Sequence, residues 1–433
     1  MCKPKPLNGL MGGLSVGENP TAGQSGDPHE NKQVTITLAH SRSLSQSPPF
    51  MPLPDSAPAL LKTLFLSLAL PLFCTGAAFA MPPAPKQTDF KPESYKQQEK
   101  YKTVQMMTVG HGADRAYAFF PADASPQQLP LVIFLHGWMG TNPKNFGAMI
   151  DHLVRRGSVV IYPVYQVDGN TVPQGITDTA AASIAQALGQ LNAEQPGLVD
   201  LQKTMYYGFS MGASMSINFV ANPDKYKLPA AKSMVLSAPG DAKHVAHGPL
   251  SASIVTTSIA KVPLSTPIVL LSGQDDKTIG MPTAVAYWNQ ICAQRGQRTL
   301  ITWPSGKTAQ ESISSAHGAP GAPDERYDFP SITEPVPLTS IEQLADFPDS
   351  KSINNLDFHG QWKVVTGLLD ALQSGNSPDW IFTDKRLMAD LGHFKNAEPY
   401  PSASIEQACP ASFVEPSTRA KSQATGRARP KQK

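Results

Sequence analysis

Met205-Tyr206-Tyr207-Gly208-Phe209-Ser210-Met211-Gly212-Ala213-Ser214-Met215 changes its periodicity in the middle. An apolar run of strand type leads up to Ser210. From Ser210 to Ala221, Met211, Met215 and Phe219 recur at the spacing of one helix face. The pivot, Gly208-Phe209-Ser210-Met211-Gly212, fits G-x-S-x-G, in which a serine sits on a sharp strand-to-helix turn. Glycines flank it because the turn leaves no room for bulky neighbours, and the sharpness of the turn lifts the hydroxyl to the edge of the sheet. Gly13-Leu14-Ser15-Val16-Gly17 fits the same pattern, so the motif alone decides nothing. Context separates the two: Ser15 lies in a polar, turn-rich leader, whereas Ser210 stands between a strand and a helix. Ser210 is the predicted nucleophile.

Working outward, strands and helices alternate. Residues 101–109 and 116–120 read as antiparallel strands around Gly110-His111-Gly112, and 131–135 as a continuous apolar strand of the buried type. The pattern then predicts a helix over 145–156, a strand over 159–162, an Ala-rich helix over 178–191 and strands at 205–207, 233–236 and 268–271. A helix over 283–293, a last strand over 298–303 and a closing amphipathic helix over 363–372 follow. Such alternation gives a mostly parallel sheet with helices on both faces and right-handed crossovers. Residues 241–263 and 304–355 interrupt it and read as lid or binding-loop insertions, or as disorder. No internal repeat is present.

Three further segments carry chemistry. Leu135-His136-Gly137-Trp138-Met139-Gly140 leaves an earlier strand, where a backbone N–H can face a developing oxyanion. Trp138 and Met211, the residue after the serine, are the predicted donors, and His136 reads as structural. Gly273-Gln274-Asp275-Asp276 places carboxylates just after a strand, positioned to orient a histidine. The order of serine, aspartate and later histidine, with the His-Gly loop upstream, resembles the α/β-hydrolase superfamily over roughly residues 101–373. The resemblance implies an α/β-hydrolase fold and selects Asp276 over Asp275, since the acid there follows G-x-x-D. Residues 151–166 and 356–363 resemble a subgroup of secreted bacterial members, which implies ester hydrolysis and gives no substrate.

Two histidines compete as base. His317, in Ser315-Ala316-His317-Gly318-Ala319, has a small-residue neighbourhood after the final strand and is preferred, and the resembled subgroup has a similar segment at that place. His359, before the closing helix, is the alternative, although the resemblance makes its position one of packing. Amide or peptide hydrolysis on the same triad, or a catalytically silent binding protein on the same fold, are the rival readings.

Composition bounds the rest. Lys and Arg exceed Asp and Glu by 2, but the last sixteen residues carry +6, which leaves −4 for the remainder. A mildly acidic body argues against a nucleic-acid binder. Neither a phosphate loop nor a metal cluster is apparent, His244 and His247 lacking companions, so no cofactor and no metal are expected. The expected partner is a small-molecule or lipid-like ester. Residues 63–80 are uncharged and end in Ala78-Phe79-Ala80, a signal-peptidase pattern that predicts cleavage after Ala80, a secreted or periplasmic product and no stable membrane span after processing. The expected organisation is 1–50 as disordered leader or annotation artefact, with Met51 an alternative start, 51–80 signal peptide, 81–100 linker, 101–415 hydrolase domain and 416–433 disordered basic tail. Cleavage leaves Cys292 and Cys409, which an oxidising compartment would join.

Overall fold

Seven consecutive buried residues, Leu129–Leu135, form a strand that is covered on both faces. Successive side chains point to opposite sides of a strand, so Val132 and Phe134 enter one apolar core and Leu131, Ile133 and Leu135 the other. The computed structural model describes residues 79–80 (backbone only), 99–124, 128–167, 175–241, 256–277, 279–329 and 353–411. The expected leader and basic tail, the signal peptide before residue 79, the linker up to residue 98, His244 and His247 lie outside the described residues.

Twelve strands are present among these: β1 (Phe79–Ala80), β2 (Val104–Val109), β3 (Ala116–Pro121), β4 (Leu129–Leu135), β5 (Val159–Pro163), β6 (Val199–Phe209), β7 (Ala231–Ser237), β8 (Ile268–Gly273), β9 (Arg298–Trp303), β10 (Gly306–Lys307), β11 (Ser312–Ile313) and β12 (Ser404–Glu406). Ten of them build one sheet in the order β1-β2-β3-β5-β4-β6-β7-β8-β9-β12, with β10 and β11 a separate hairpin. Pairings from β5 through β4 to β9 are parallel, and those at the two ends are antiparallel.

The principal helices are α1 (Gly147–Arg155), α2 (Ile176–Glu194), α3 (Met211–Ala221), α4 (Gly280–Ile291) and α5 (Lys363–Ser374). α1 and α5 supply the core on one face, α2, α3 and α4 that on the other. This is a mostly parallel central sheet flanked by helices, with β2 to β9 in the strand order of the α/β-hydrolase fold.

The differences from the sequence reading have local causes. Residues 298–303 are not the last strand, because β12 pairs antiparallel with β9, Ser404 opposite Thr302. Three residues are too few to show a period. A disulfide between Cys292 and Cys409, 117 residues apart, ties the segment after β12 to the end of α4. The helix expected over 145–156 begins as a 3₁₀ turn, Pro143–Phe146, capped by Asn142 through the Lys144 N–H, and turns α-helical only at Gly147. α4 starts at Gly280 because Pro282 is accepted in the first turn of a helix. Lys100, the last residue of the expected linker, donates its N–H to the Arg155 carbonyl at 2.8 Å. Within the insertion expected over 304–355, residues 304–329 are ordered by the β10–β11 hairpin and a 3₁₀ turn, Glu325–Tyr327. Among the described residues no helix is long and apolar enough to cross a membrane.

Candidate active site

β6 ends at Phe209 and α3 begins at Met211, which leaves Ser210 as the hinge between them, with φ 53° and ψ −121°. Such a backbone is strained for any residue but glycine and persists only when its surroundings over-determine it. Here the Ser210 N–H donates to the Ser237 carbonyl, and the Ser210 carbonyl accepts from the Ala213 and Gly240 N–H groups, each at 3.0 Å. A Cβ on Gly208 would lie 2.5 Å from the Ala213 Cα, and one on Gly212 would lie 2.1 Å from the Leu135 carbonyl oxygen. Both positions are therefore closed to side chains by backbone atoms. Gly240 lies on the other side, where an added Cβ would fall 3.1 Å from Ser210 Oγ, a tight contact with the hydroxyl itself. The hydroxyl stands at the carboxyl end of the parallel strands, where open α/β sheets bind ligands.

His317 meets it there. Nε2 of His317 lies 3.0 Å from Ser210 Oγ, and Nδ1 lies 2.7 Å from Asp276 Oδ2. All three side chains are buried. With Asp276 ionised, Nδ1 carries the proton and donates to it, leaving Nε2 to accept from the Ser210 hydroxyl. Asp276 is fixed in turn by the Ile279 N–H, which donates to Oδ1 at 3.4 Å, and by the absence of a side chain at Gly280, whose Cβ would fall 2.0 Å from Oδ2. The adjacent Asp275 faces elsewhere: its Oδ2 accepts from the Ser305 hydroxyl, and its N–H donates to Ser315 Oγ at 3.3 Å. It braces the loop that carries His317.

The predicted oxyanion turn packs against the elbow. A Cβ on Gly137 would touch both the Phe209 ring and Ser210 Cβ at 3.0 Å. The turn closes through the Gly140 N–H to the Gly137 carbonyl, with Met139 in the left-handed region at φ 61°. Met211 is the first residue of α3, so its N–H has no intrahelical acceptor and lies at the positive end of the helix. His136 is fully buried between the Gly137 and Val164 carbonyls and stacks on Tyr165. Burial pushes its pKa down to about 4, against the two carbonyls, which raise it.

His359 does not join this group. It sits on a π-helical turn, Leu356–Trp362, with its ring against Gly392, where a Cβ would lie 2.6 Å from Nε2. Burial, followed by the Lys363 charge, lowers its pKa to about 4. The same turn carries a residue that sequence reasoning passed over. Gln361 Nε2 donates to the Pro320 carbonyl at 3.2 Å, three residues beyond His317, while its Oε1 accepts from Tyr207 and Ser237. Gly240 and Gly280 were equally unread, and Gly273 was read only as the first residue of G-x-x-D, since a glycine that clears space for a distant segment leaves no local pattern. Among the described residues no group of three or more His, Cys, Asp or Glu side chains could hold a metal ion.

No protein-family model matches the chain, and no curated protein matches it in sequence. Solved structures of similar fold include esterase B of Lactobacillus rhamnosis, 16% identical, with a TM-score of 0.37 over 49% of this chain and 79% of that one. A carboxylesterase of Lactobacillus plantarum is 17% identical, with a TM-score of 0.38 over 47% of this chain and 83% of that one. Carboxyl esterase 2 of the mycorrhizal fungus Tuber melanosporum is 19% identical, with a TM-score of 0.35 over 48% and 79%. Values this low say nothing of chemistry, and the fold rests on the strand order.

Proposed function

We propose that the chain is a serine hydrolase that cleaves a carboxylic ester through an acyl-enzyme on Ser210. One observation carries the reading: His317 bridges Asp276 and the hydroxyl of a strained elbow serine, at 2.7 and 3.0 Å. In the first half-reaction His317 Nε2 takes the proton of Ser210 as Oγ attacks the ester carbonyl. The tetrahedral oxyanion is received by the Trp138 and Met211 N–H groups. His317 then protonates the leaving alcohol, and Asp276 steadies the imidazolium without taking its proton. In the second half-reaction the same nitrogen activates water, which releases the acid and restores Ser210.

Labelling with a fluorophosphonate probe, together with turnover of p-nitrophenyl esters of graded acyl length, tests this reading. Ser210→Ala should abolish both while the protein stays folded, and Ser15→Ala should change neither. Labelling that survives Ser210→Ala would assign the nucleophile elsewhere. Faster turnover of a peptide anilide than of any ester would favour an amidase.

We also infer that the protein is exported and cleaved after Ala80. Support comes from the Ala78-Phe79-Ala80 pattern and from the Cys292–Cys409 bond, of a kind that persists in oxidising compartments. Cleavage there would take β1 off the sheet and make β2 its edge. N-terminal sequencing of protein from periplasm or medium should begin at Met81; an uncut leader in the membrane fraction would refute it.

A further inference from the structure

β4 and β5 are parallel neighbours, Leu131 opposite Val159 and Ile133 opposite Ile161, so the segments that leave them emerge side by side. The one leaving β4 is the turn from His136 to Gly140. The one at the end of β5 reads Tyr162-Pro163-Val164-Tyr165-Gln166, and every polar side chain in it ends on the backbone of that turn. The Tyr162 hydroxyl donates to the Gly140 carbonyl and the Tyr165 hydroxyl to the His136 carbonyl. Between them, the Met139 N–H donates to Gln166 Oε1 at 2.9 Å, and Gln166 Nε2 lies 3.9 Å from Met139 Sδ. Both ends of one buried amide are thus spent on a single residue of the turn.

These contacts come at a cost. Tyr162, Tyr165 and Gln166 are almost wholly inaccessible to solvent, and polar groups in such places are unfavourable unless bonded. Tyr165 also holds φ at 42°, a region that an aromatic residue rarely enters. Apolar side chains on a relaxed backbone would fill the same volume more cheaply. What the polar set provides is a fixed backbone: it holds the carbonyls on both sides of the turn and the N–H that follows Trp138. Among the described residues no hydrogen bond takes the Trp138 N–H itself.

We propose that Gln166, supported by Tyr162 and Tyr165, is the positioning residue of the oxyanion turn: by holding the Met139 N–H it aims the neighbouring Trp138 N–H at the tetrahedral oxygen. The inference rests on the proposed acyl-enzyme reading and adds to it residues that touch no reacting atom. A donor that acts only when charge develops must be held close to its final position. Loss of the brace therefore weakens transition-state binding and leaves ground-state binding nearly unchanged.

Gln166→Met keeps the volume and removes the acceptor, and Tyr165→Phe keeps the ring that stacks on His136 and removes only a hydroxyl. Each should lower kcat on a p-nitrophenyl ester about ten- to hundredfold, with KM within about twofold of the parent. Affinity for a trifluoromethyl ketone, which forms the tetrahedral oxyanion adduct, should fall in proportion to kcat/KM. Affinity for the product alcohol should not change. Unchanged kcat and ketone affinity in folded Gln166→Met, or a loss confined to KM, would overturn the proposal. If Gln166→Met does not fold, the same two readings on Tyr165→Phe decide. Failure of the hydrolase reading is a separate result, turnover that survives Ser210→Ala.

Discussion

A single methyl group placed at Gly273 should disable the site without touching any reacting atom. Gly273 ends β8, and a Cβ there would lie 1.6 Å from the Ser315 carbonyl oxygen and 2.6 Å from its carbon. Real Cβ atoms essentially never approach another heavy atom closer than 3.0 Å, so the gap must open by at least the difference, about 1.4 Å. β8 cannot supply the movement, because it is paired to β7 and β9 and the Gln274 N–H donates to the Trp303 carbonyl at 2.7 Å. The loop must move instead. Ser315 precedes His317 by two residues and is tied by its N–H to Ser305 Oγ at 2.8 Å, so the shift is passed to the imidazole. A misplacement of about 1 Å costs about a hundredfold in rate, equivalent to about 2.7 kcal/mol of transition-state stabilisation. Gly273→Ala should therefore lose at least that much kcat on a p-nitrophenyl ester, with a matching fall in the rate of fluorophosphonate labelling and a cooperative melt retained. Gly189→Ala, in an exposed stretch of α2 with nothing within 4 Å of the added methyl, serves as the control and should keep full activity. A folded Gly273→Ala protein with kcat within about threefold of the parent would refute the claim that this contact sets the histidine.

Two further outcomes concern stability. Replacing both Cys292 and Cys409 by serine removes a closure across 117 residues, which the chain-entropy relation puts at about 5 kcal/mol; urea unfolding of the oxidised parent and the double variant should show that gap, and equal midpoints would reject it. Burial pushes the Asp357 carboxyl up to about 8, with Oδ1 unpartnered among the described residues and Oδ2 accepting the Asn354 N–H at 2.9 Å. The folded state then keeps a proton that the unfolded chain has released, so this group costs stability progressively as pH rises from about 4 to about 8, and no more beyond. Asp357→Asn should flatten that decline, gaining on the parent between unfolding measured near pH 5 and near pH 9; parallel pH profiles would exclude Asp357 as the source.

The parts of the fold that were legible in sequence are those in which a residue's type answers to its own element. β4 is apolar throughout because both of its faces are covered, and α3 shows its period because Met211, Met215 and Phe219 share one core. That Ser210, Asp276 and His317 would meet was readable for a related reason. Each is a chemically distinctive residue in a short motif beside a strand end, and the structure brings the three within hydrogen-bonding distance. The choice between Asp275 and Asp276 needed the resemblance, since adjacent aspartates after a strand look alike until one of them is seen to hold Ser305.

What stayed illegible depends on segments distant in sequence. Gly273 has an ordinary strand backbone, and only the Ser315 carbonyl, forty-two residues on, shows why nothing larger fits. Gln361 enters the sequence reading only as part of the 356–363 segment that carries the resemblance, yet it joins β6, β7 and the loop after His317. Gln166 enters the sequence reading only at the end of the 151–166 segment that carries the resemblance, and its contact is with the Met139 N–H of the neighbouring strand's exit. In all three cases the residue does not itself react; it fixes the backbone that carries a residue proposed to do so. A nucleophile, base and acid can be named from local patterns because the chemistry limits them to a few residue types. The groups that hold them within a fraction of an ångström can be of any type that reaches, so their identity becomes readable only when the contact across the fold is known.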